Sequence, residues 1–192
     1  MLKAAPGVRG SPATLETKRA TTPLARPSLT GEFEGYASLF GIPDLGRDMV
    51  MPGAFRDSLK KRGASGIKML WSHEAAQPIG TWTLVEEDAR GLRVKGRLNL
   101  AVARAREIHA LMRDGAIDGL SIGYRTERAV TDKQSGIRRL YKLDLWEISV
   151  VTFPMLPQAR VSSVKRRNPA PSTVRSSADL AAKIAHTASL FI

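Results

Sequence analysis

Three short stretches of the sequence each place one chemically useful side chain in an apolar or glycine-bounded run. His73 follows a short apolar segment, Ser121 lies within residues 119–123, and Glu147 lies within residues 143–151. An imidazole can act as a general base, a hydroxyl as a nucleophile and a carboxylate as the group that orients the imidazole. A serine hydrolase uses this set of side chains, and its triad is recognised by roles rather than by sequence order. We therefore predict a catalytic site made of His73, Ser121 and Glu147.

Ser121 is bounded by glycines at positions 119 and 123. A serine nucleophile needs an exposed hydroxyl beside backbone N–H groups that can stabilise an oxyanion. Glycine permits close approach of the backbone, so we expect the oxyanion support to come from Gly119, Leu120, Ile122 and Gly123. The alternative is an ordinary strand serine with glycines at bulges, and this segment alone favours that alternative.

His73 is the natural base among three histidines, because it follows an apolar strand and lies at that strand's rim. His109 falls within an amphipathic helical pattern and His186 within the C-terminal tail. A neutral imidazole with its usual pKa of about 6.5 can accept a hydroxyl proton. A simple surface-loop histidine is the alternative. No metal site is expected, because the sequence has no cysteine and no His-x-x-x-His or carboxylate cluster with ligand spacing.

Glu147 is the least expected residue, because its neighbours in the sequence are largely apolar. Burying an unpaired carboxylate costs several kcal/mol. Glu147 must therefore face solvent at a sheet edge, pair with a cation, or accept a hydrogen bond from a group such as the imidazole of His73. Asp144, three residues earlier, is a competing acid.

The net charge of the chain is +12, and most of it lies in the tails. Residues 1–30 carry five Lys/Arg and one Glu, and residues 160–192 carry six Lys/Arg and one Asp. The middle of the chain is close to balanced, so we do not expect sequence-specific nucleic-acid binding. No apolar run approaches the roughly 18 residues of a membrane span, and no signal peptide is recognisable. We expect a cytosolic protein without a membrane partner.

The chain of 192 residues favours one domain with tails. Apolar periodicity predicts strands and helices, with strands over 32–40, 67–71, 79–86, 92–100, 117–130 and 138–151 and helices over 55–61 and 101–113. The predicted class is mostly β (α+β), a small closed β-barrel flanked by a few helices. Residues 1–30 are expected to form a flexible basic arm, 31–164 the folded domain, and 165–192 a basic linker and short C-terminal helix. The Ser-, Pro- and Arg-rich composition typical of a linker begins at residue 161.

Several motifs in this order resemble the prohead (procapsid) maturation protease family of tailed double-stranded-DNA phages. The resemblance covers about residues 32–164 and rests on six motifs: Gly35-Tyr36-Ala37-Ser38-Leu39-Phe40-Gly41, Met51-Pro52-Gly53-Ala54-Phe55, Leu70-Trp71-Ser72-His73, Pro78-Ile79-Gly80, Gly119-Leu120-Ser121-Ile122-Gly123-Tyr124, and Glu147-Ile148-Ser149-Val150-Val151-Thr152 followed by Pro154. Met51 replaces the valine typical of the family, which is a conservative change.

The resemblance implies a serine endopeptidase with a fold similar to the herpesvirus assembly proteases. It implies that His73 is the base and Ser121 the nucleophile, with Glu147 at the less uniform third position. The implied substrates are the major capsid protein, whose scaffolding segment is cut inside the immature shell, and the protease itself. No cofactor or metal is implied, and the site of action is the procapsid within the cytoplasm of the bacterial host.

The oligomeric state stays open at this point, and a homo-oligomer is one of the possibilities. Two other functions also stay open. The first is a catalytically inactive capsid assembly or scaffold protein that keeps the fold. The second is a basic, DNA-associated packaging factor, which would bind DNA with a steep salt dependence and without proteolysis.

Overall fold

A computed structural model describes residues 30–163 of the chain. The expected N-terminal arm, most of the predicted linker and the predicted C-terminal helix lie outside these residues. The described part contains eight strands and two helices, which in chain order are β1 (Glu32–Leu39), β2 (Asp48–Val50), α1 (Arg56–Arg62), β3 (Lys68–Trp71), β4 (Pro78–Glu87), β5 (Gly91–Leu98), α2 (Ala103–Arg113), β6 (Gly119–Thr131), β7 (Arg138–Val151) and β8 (Val161–Ser163).

All eight strands belong to one sheet, with the order β2-β7-β3-β4-β5-β1-β8 and β6 on the other edge of β7. The sheet curls until β6 approaches β1, and residues 159–161 connect the two. Leu120 donates its N–H to the Ala159 carbonyl at 2.9 Å, and Tyr36 donates to the Arg160 carbonyl at 3.1 Å. The predicted mostly-β class is therefore confirmed, with the barrel closed through this short segment rather than by a direct β6–β1 ladder.

β7 is the strand around which the fold is organised. It pairs antiparallel with β6 along nearly its whole length, and parallel with β3 through Glu147–Val150. One face of β7 points into the core, where Ile148 and Val150 are fully buried. Because side chains alternate along a strand, Glu147 and Ser149 point to the opposite face.

Two short strands were not predicted from the sequence. Residues 48–50 form β2, which pairs parallel with the start of β7 rather than leading directly into α1. Residues 161–163 form β8, which pairs with β1 although their composition is typical of a linker. Both strands have three residues, and their pairing partners lie far away in sequence, so local periodicity carries no signal for them.

Candidate active site

His73 lies in a tight turn directly after β3. Both Ser72 and His73 have positive φ angles, 48° and 62°, which are unfavourable for residues other than glycine. Ser72 donates its N–H to the Val150 carbonyl at 3.1 Å, and His73 donates its N–H to Ser149 Oγ at 3.0 Å. These two hydrogen bonds to β7 hold the turn in place and set the position of the imidazole.

The imidazole of His73 contacts the carboxylate of Glu147. His73 Nδ1 lies 2.6 Å from Glu147 Oε1, and Ser149 Oγ donates to Glu147 Oε2 at 2.7 Å. The side chain of Glu147 is 12% exposed and that of His73 is 44% exposed, so the acid is more deeply buried than the base. Among the three arrangements that the sequence left open for Glu147, the structure therefore shows the contact with His73.

This contact fixes the chemistry of the ring. The hydrogen bond to Glu147, together with its negative charge, raises the pKa of His73 above its ordinary value, although partial burial opposes the shift. With the Nδ1 proton held by the carboxylate, Nε2 of the neutral ring is the free acceptor. Such an imidazole can receive a proton from a neighbouring hydroxyl.

Ser121 lies on β6, directly opposite Ser149 of β7. Directly paired residues have Cβ atoms about 4.5–5.5 Å apart and point to the same face. Ser121 therefore shares the outer face with Ser149 and Glu147. Its residue surface is 8% exposed, and within residues 30–163 its side chain forms no hydrogen bond, to His73 or to any other group. Catalytic hydrogen bonds are often long before substrate binds and tighten in the complex.

Gly123 makes room for the carboxylate of Glu147, which it faces across the β6–β7 ladder. A Cβ atom at position 123 would lie 2.7 Å from Glu147 Cδ and 2.8 Å from Cγ. Position 119 requires glycine for a different reason. A Cβ atom there would lie 2.6 Å from the Val151 carbonyl oxygen and 2.8 Å from Pro154 Cδ. The β6–β7 register shifts between Gly123 and Tyr124, so the bulge that the sequence offered as the alternative is present beside Gly123, and both glycines also permit a close approach.

The backbone N–H groups around Ser121 point in different directions. Leu120 directs its N–H away from β7, to the Ala159 carbonyl. In an antiparallel ladder the direction alternates from residue to residue, so Ser121 faces β7 and Ile122 turns its N–H to the other edge of β6. In the described sheet β6 forms its ladder with β7, and the N–H of Ile122 points out of the opposite edge of β6. Of the four residues predicted to support an oxyanion, Leu120 and Ile122 thus direct their N–H groups away from β7, and that of Leu120 is already bonded to the Ala159 carbonyl.

Asp144, the competing acid, has a different partner. Arg62 of α1 donates to both of its carboxylate oxygens, at 2.8 and 3.0 Å, and holds the pKa of Asp144 below its ordinary value. The guanidinium of Arg62 also lies over the ring of Trp146, 4.5 Å from its centroid. Asp144 therefore attaches α1 to β7 and does not orient His73. His109 is buried in α2, which packs on β4 and β5.

A cavity between β1, β2 and β6 reaches Ser121 and is also lined by Asp44, Asp48, Tyr124 and Met155. The hydroxyl of Tyr124 donates to Asp48 at 3.0 Å, and burial raises the pKa of Tyr124 to about 12. Tyr124 is therefore protonated at neutral pH and does not compete with His73 as a base.

Sequence reasoning missed the role of Ser149, which contacts both His73 and Glu147. The signal in the sequence was that Ser149 lies two residues after Glu147, because residues i and i+2 of a strand share a face.

Within residues 30–163 no three His, Asp or Glu side chains lie close enough together to hold a metal ion. No helix in the described part of the chain is long and apolar enough to cross a membrane.

A family model described as caudovirus prohead serine protease matches residues 18–172, which include every described strand and helix and the three candidate catalytic residues. The chain belongs to this family. The resemblance indicated by the six sequence motifs is thereby confirmed, and the family match covers the whole described fold.

One sequence relative agrees with membership of the prohead protease family. The prohead protease of Enterobacteria phage HK97 is 35% identical over 139 residues, and the match covers 70% of this chain and 60% of that protein. This chain thus spans 60% of the length of that relative. The bacteriophage T4 capsid assembly protease has a similar fold, with a TM-score of 0.51 at 12% identity over 64% of this chain and 82% of that chain. The KSHV protease overlaps with a TM-score of 0.48 at 10% identity, over 68% of this chain and 63% of that chain.

Proposed function

We propose that this chain is a serine endopeptidase that cleaves the scaffolding segment of the phage major capsid protein, and its own chain, during procapsid maturation. His73 is the general base, Ser121 the nucleophile and Glu147 the orienting acid. The observation that carries the proposal is the 2.6 Å contact between His73 Nδ1 and Glu147 Oε1 on the face that also bears Ser121. Three chain segments far apart in sequence supply these groups.

The proposed reaction begins when Ser121 Oγ attacks the carbonyl carbon of the scissile peptide and its proton moves to His73 Nε2. Glu147 stabilises the resulting imidazolium through Nδ1–H. The carbonyl oxygen becomes an oxyanion, and the Ile122 N–H on the edge of β6 is its proposed donor. Collapse of this intermediate breaks the C–N bond, His73 gives its proton to the leaving amine, and an acyl-enzyme remains. Water, whose proton moves to His73 Nε2, then attacks the ester carbon. The bond from that carbon to Ser121 Oγ breaks, and His73 returns the proton to Oγ as the acid product leaves.

The substrate assignment is supported by the family and by the name of the HK97 relative, a prohead protease. A scaffolding segment inside an immature shell is the proposed substrate, which places the activity in the procapsid within the host cytoplasm. Cleavage of the protease's own terminal segments would follow from the same chemistry.

Co-expression with the cognate major capsid protein, followed by intact-mass analysis of both proteins, tests the function. The expected result is a capsid protein shortened at one defined peptide bond. Assembled shells that contain only full-length capsid protein would instead support an inactive assembly protein. A control with the Ser58→Ala variant, whose serine is buried on α1 away from the site, should give the same shortened product.

The pH dependence of cleavage should follow the titration of His73. A base acts only when it is neutral, so kcat/KM should fall as the pH drops through the raised pKa of His73. We expect the midpoint of this acidic limb to lie above pH 6.5, the ordinary value for histidine. In Glu147→Gln the main cause of the shift is gone, and the limb should move to lower pH. An acidic limb that stays in place in that variant would show that another group titrates.

Gly123→Ala should separate the carboxylate from the imidazole without removing either group. The new Cβ overlaps the side chain of Glu147, which must move. We expect kcat to fall by about 10²-fold, the loss that a displacement of ~1 Å can cause in an active site. In a double-mutant cycle, Gly123→Ala should add little to Glu147→Gln, because both act through one carboxylate. Additive losses would show that the alanine acts elsewhere.

A further inference from the structure

Ser149 is fully buried, yet its hydroxyl is bonded to two parts of the candidate site. Its Oγ accepts the backbone N–H of His73 at 3.0 Å and donates to Glu147 Oε2 at 2.7 Å. One hydroxyl thus links the backbone that carries the base with the carboxylate that orients it.

The two hydrogen bonds determine each other's direction. A hydroxyl has a single proton, and here that proton points to Glu147 Oε2. The lone pairs then face the amide of His73. This arrangement leaves Oε1 to the imidazole, so the two carboxylate oxygens have separate partners.

Ser149 adds a second restraint to each of the two groups that it bonds, beside the Ser72–Val150 hydrogen bond of the turn and the His73–Glu147 contact. The terminal torsion of a glutamate carboxylate is broad, so one hydrogen bond to the imidazole does not fix its plane. The His73 turn has two consecutive residues with positive φ, an arrangement that persists only where the surroundings enforce it. Ser149 restrains both from the central strand β7.

We infer that Ser149 is a positioning residue that holds the His73 backbone and the Glu147 carboxylate in one geometry, and thereby sets the direction of the imidazole toward Ser121. The inference rests on the proposed function for its kinetic consequence, but its geometric content does not depend on cleavage. Ser149 does not contact the reacting atoms; it acts through His73 and Glu147.

Ser149→Ala is the variant that tests this role, and Ser58→Ala is its matched control. Ser58 is also a buried serine that accepts a backbone N–H, that of Leu145 on the same strand, at 2.8 Å. We expect Ser149→Ala to lower kcat by about 10- to 100-fold with little change in KM, because orientation and not substrate contact is lost. Ser58→Ala should leave kcat of the folded enzyme unchanged. Ser149→Thr, which keeps the hydroxyl, should recover most of the lost kcat.

Two spectroscopic measurements test the same geometry without any cleavage. In the wild-type protein the His73 amide should be protected from hydrogen exchange, although its side chain is exposed, and the Nδ1 proton should give a distinct downfield NMR resonance. In Ser149→Ala the amide should exchange faster and the downfield resonance should weaken. A wild-type His73 amide that exchanges freely would overturn the inference, even if Ser149→Ala failed to fold.

The outcomes also separate this inference from the proposed function. A wild-type protein that cleaves no capsid precursor but shows the protected amide and the downfield resonance would contradict the function and retain the role of Ser149. A Ser149→Ala variant that cleaves with wild-type kcat and keeps both signals would overturn the role of Ser149 and leave the function intact.

Discussion

Replacing Ser121 with alanine should reduce cleavage of the capsid precursor by about 10⁴- to 10⁶-fold, as expected when the nucleophile of a serine protease is removed. The reason is that the hydroxyl opposite it on the same face, that of Ser149, already donates its proton to Glu147 and cannot take over as the nucleophile. Intact-mass analysis of co-expressed capsid protein would show only the uncut precursor. The terminal segments of the variant itself should also stay uncut.

The fold should survive this change, because within residues 30–163 the Ser121 side chain forms no hydrogen bond that its loss would break. Thermal unfolding of Ser121→Ala should therefore match that of the wild-type protein closely. The Ser58→Ala control loses a buried hydrogen bond to Leu145 and should be less stable but fully active. Normal processing by Ser121→Ala would rule out the assignment of the nucleophile.

Replacing Glu147 with glutamine should lower kcat by about 10⁴-fold, similar to the effect of an acid-to-amide change in other serine protease triads. The amide has one acceptor where the carboxylate has two, and both carboxylate oxygens are used, by His73 and by Ser149. If the amide nitrogen faces His73, Nδ1 must accept a hydrogen bond and the ring proton moves to Nε2. Nε2 can then no longer accept the proton of Ser121. If the amide oxygen faces His73, the amide nitrogen faces the Ser149 hydroxyl. Two donors then face each other, and the hydrogen bond that Ser149 donates is lost.

Asp144→Asn is the matched control for Glu147→Gln, since both replace an acid of β7 by its amide. Asp144 is bonded to Arg62, so the control should destabilise the contact between α1 and β7. Its kcat and its pH profile should stay those of the wild-type enzyme. A large loss of kcat in Asp144→Asn, with Glu147→Gln active, would exchange the roles assigned to the two acids.

Much of the site could be predicted from the sequence because each side chain stands out against its own neighbours. A carboxylate in the apolar run around Glu147 needs a partner, and the rim of an apolar strand is a suitable place for the base His73. The structure brings these two together as predicted. The long strands β5, β6 and β7 were also predicted, because their periodicity extends over many residues.

The remainder depends on pairings that a single segment does not reveal. The register that sets Ser121 opposite Ser149, and Gly123 opposite Glu147, is a property of two strands together. For the same reason the sequence indicated a bulge at the glycines, which is present beside Gly123, but not that Gly123 also admits the side chain of Glu147 from the next strand. The N–H of Leu120 was expected to help hold an oxyanion, but it bonds to the Ala159 carbonyl that closes the barrel.

Reaction with a serine-directed peptidyl phosphonate, followed by mass mapping of the adduct, tests most directly whether His73, Glu147 and Ser121 act as one catalytic unit. The expected result is a single adduct on Ser121 in the wild-type protein, a much slower reaction in His73→Ala and Glu147→Gln, and unchanged labelling in Asp144→Asn. An adduct on another residue, or labelling of Ser121 that is as fast without His73 as with it, would contradict the catalytic unit proposed for this fold.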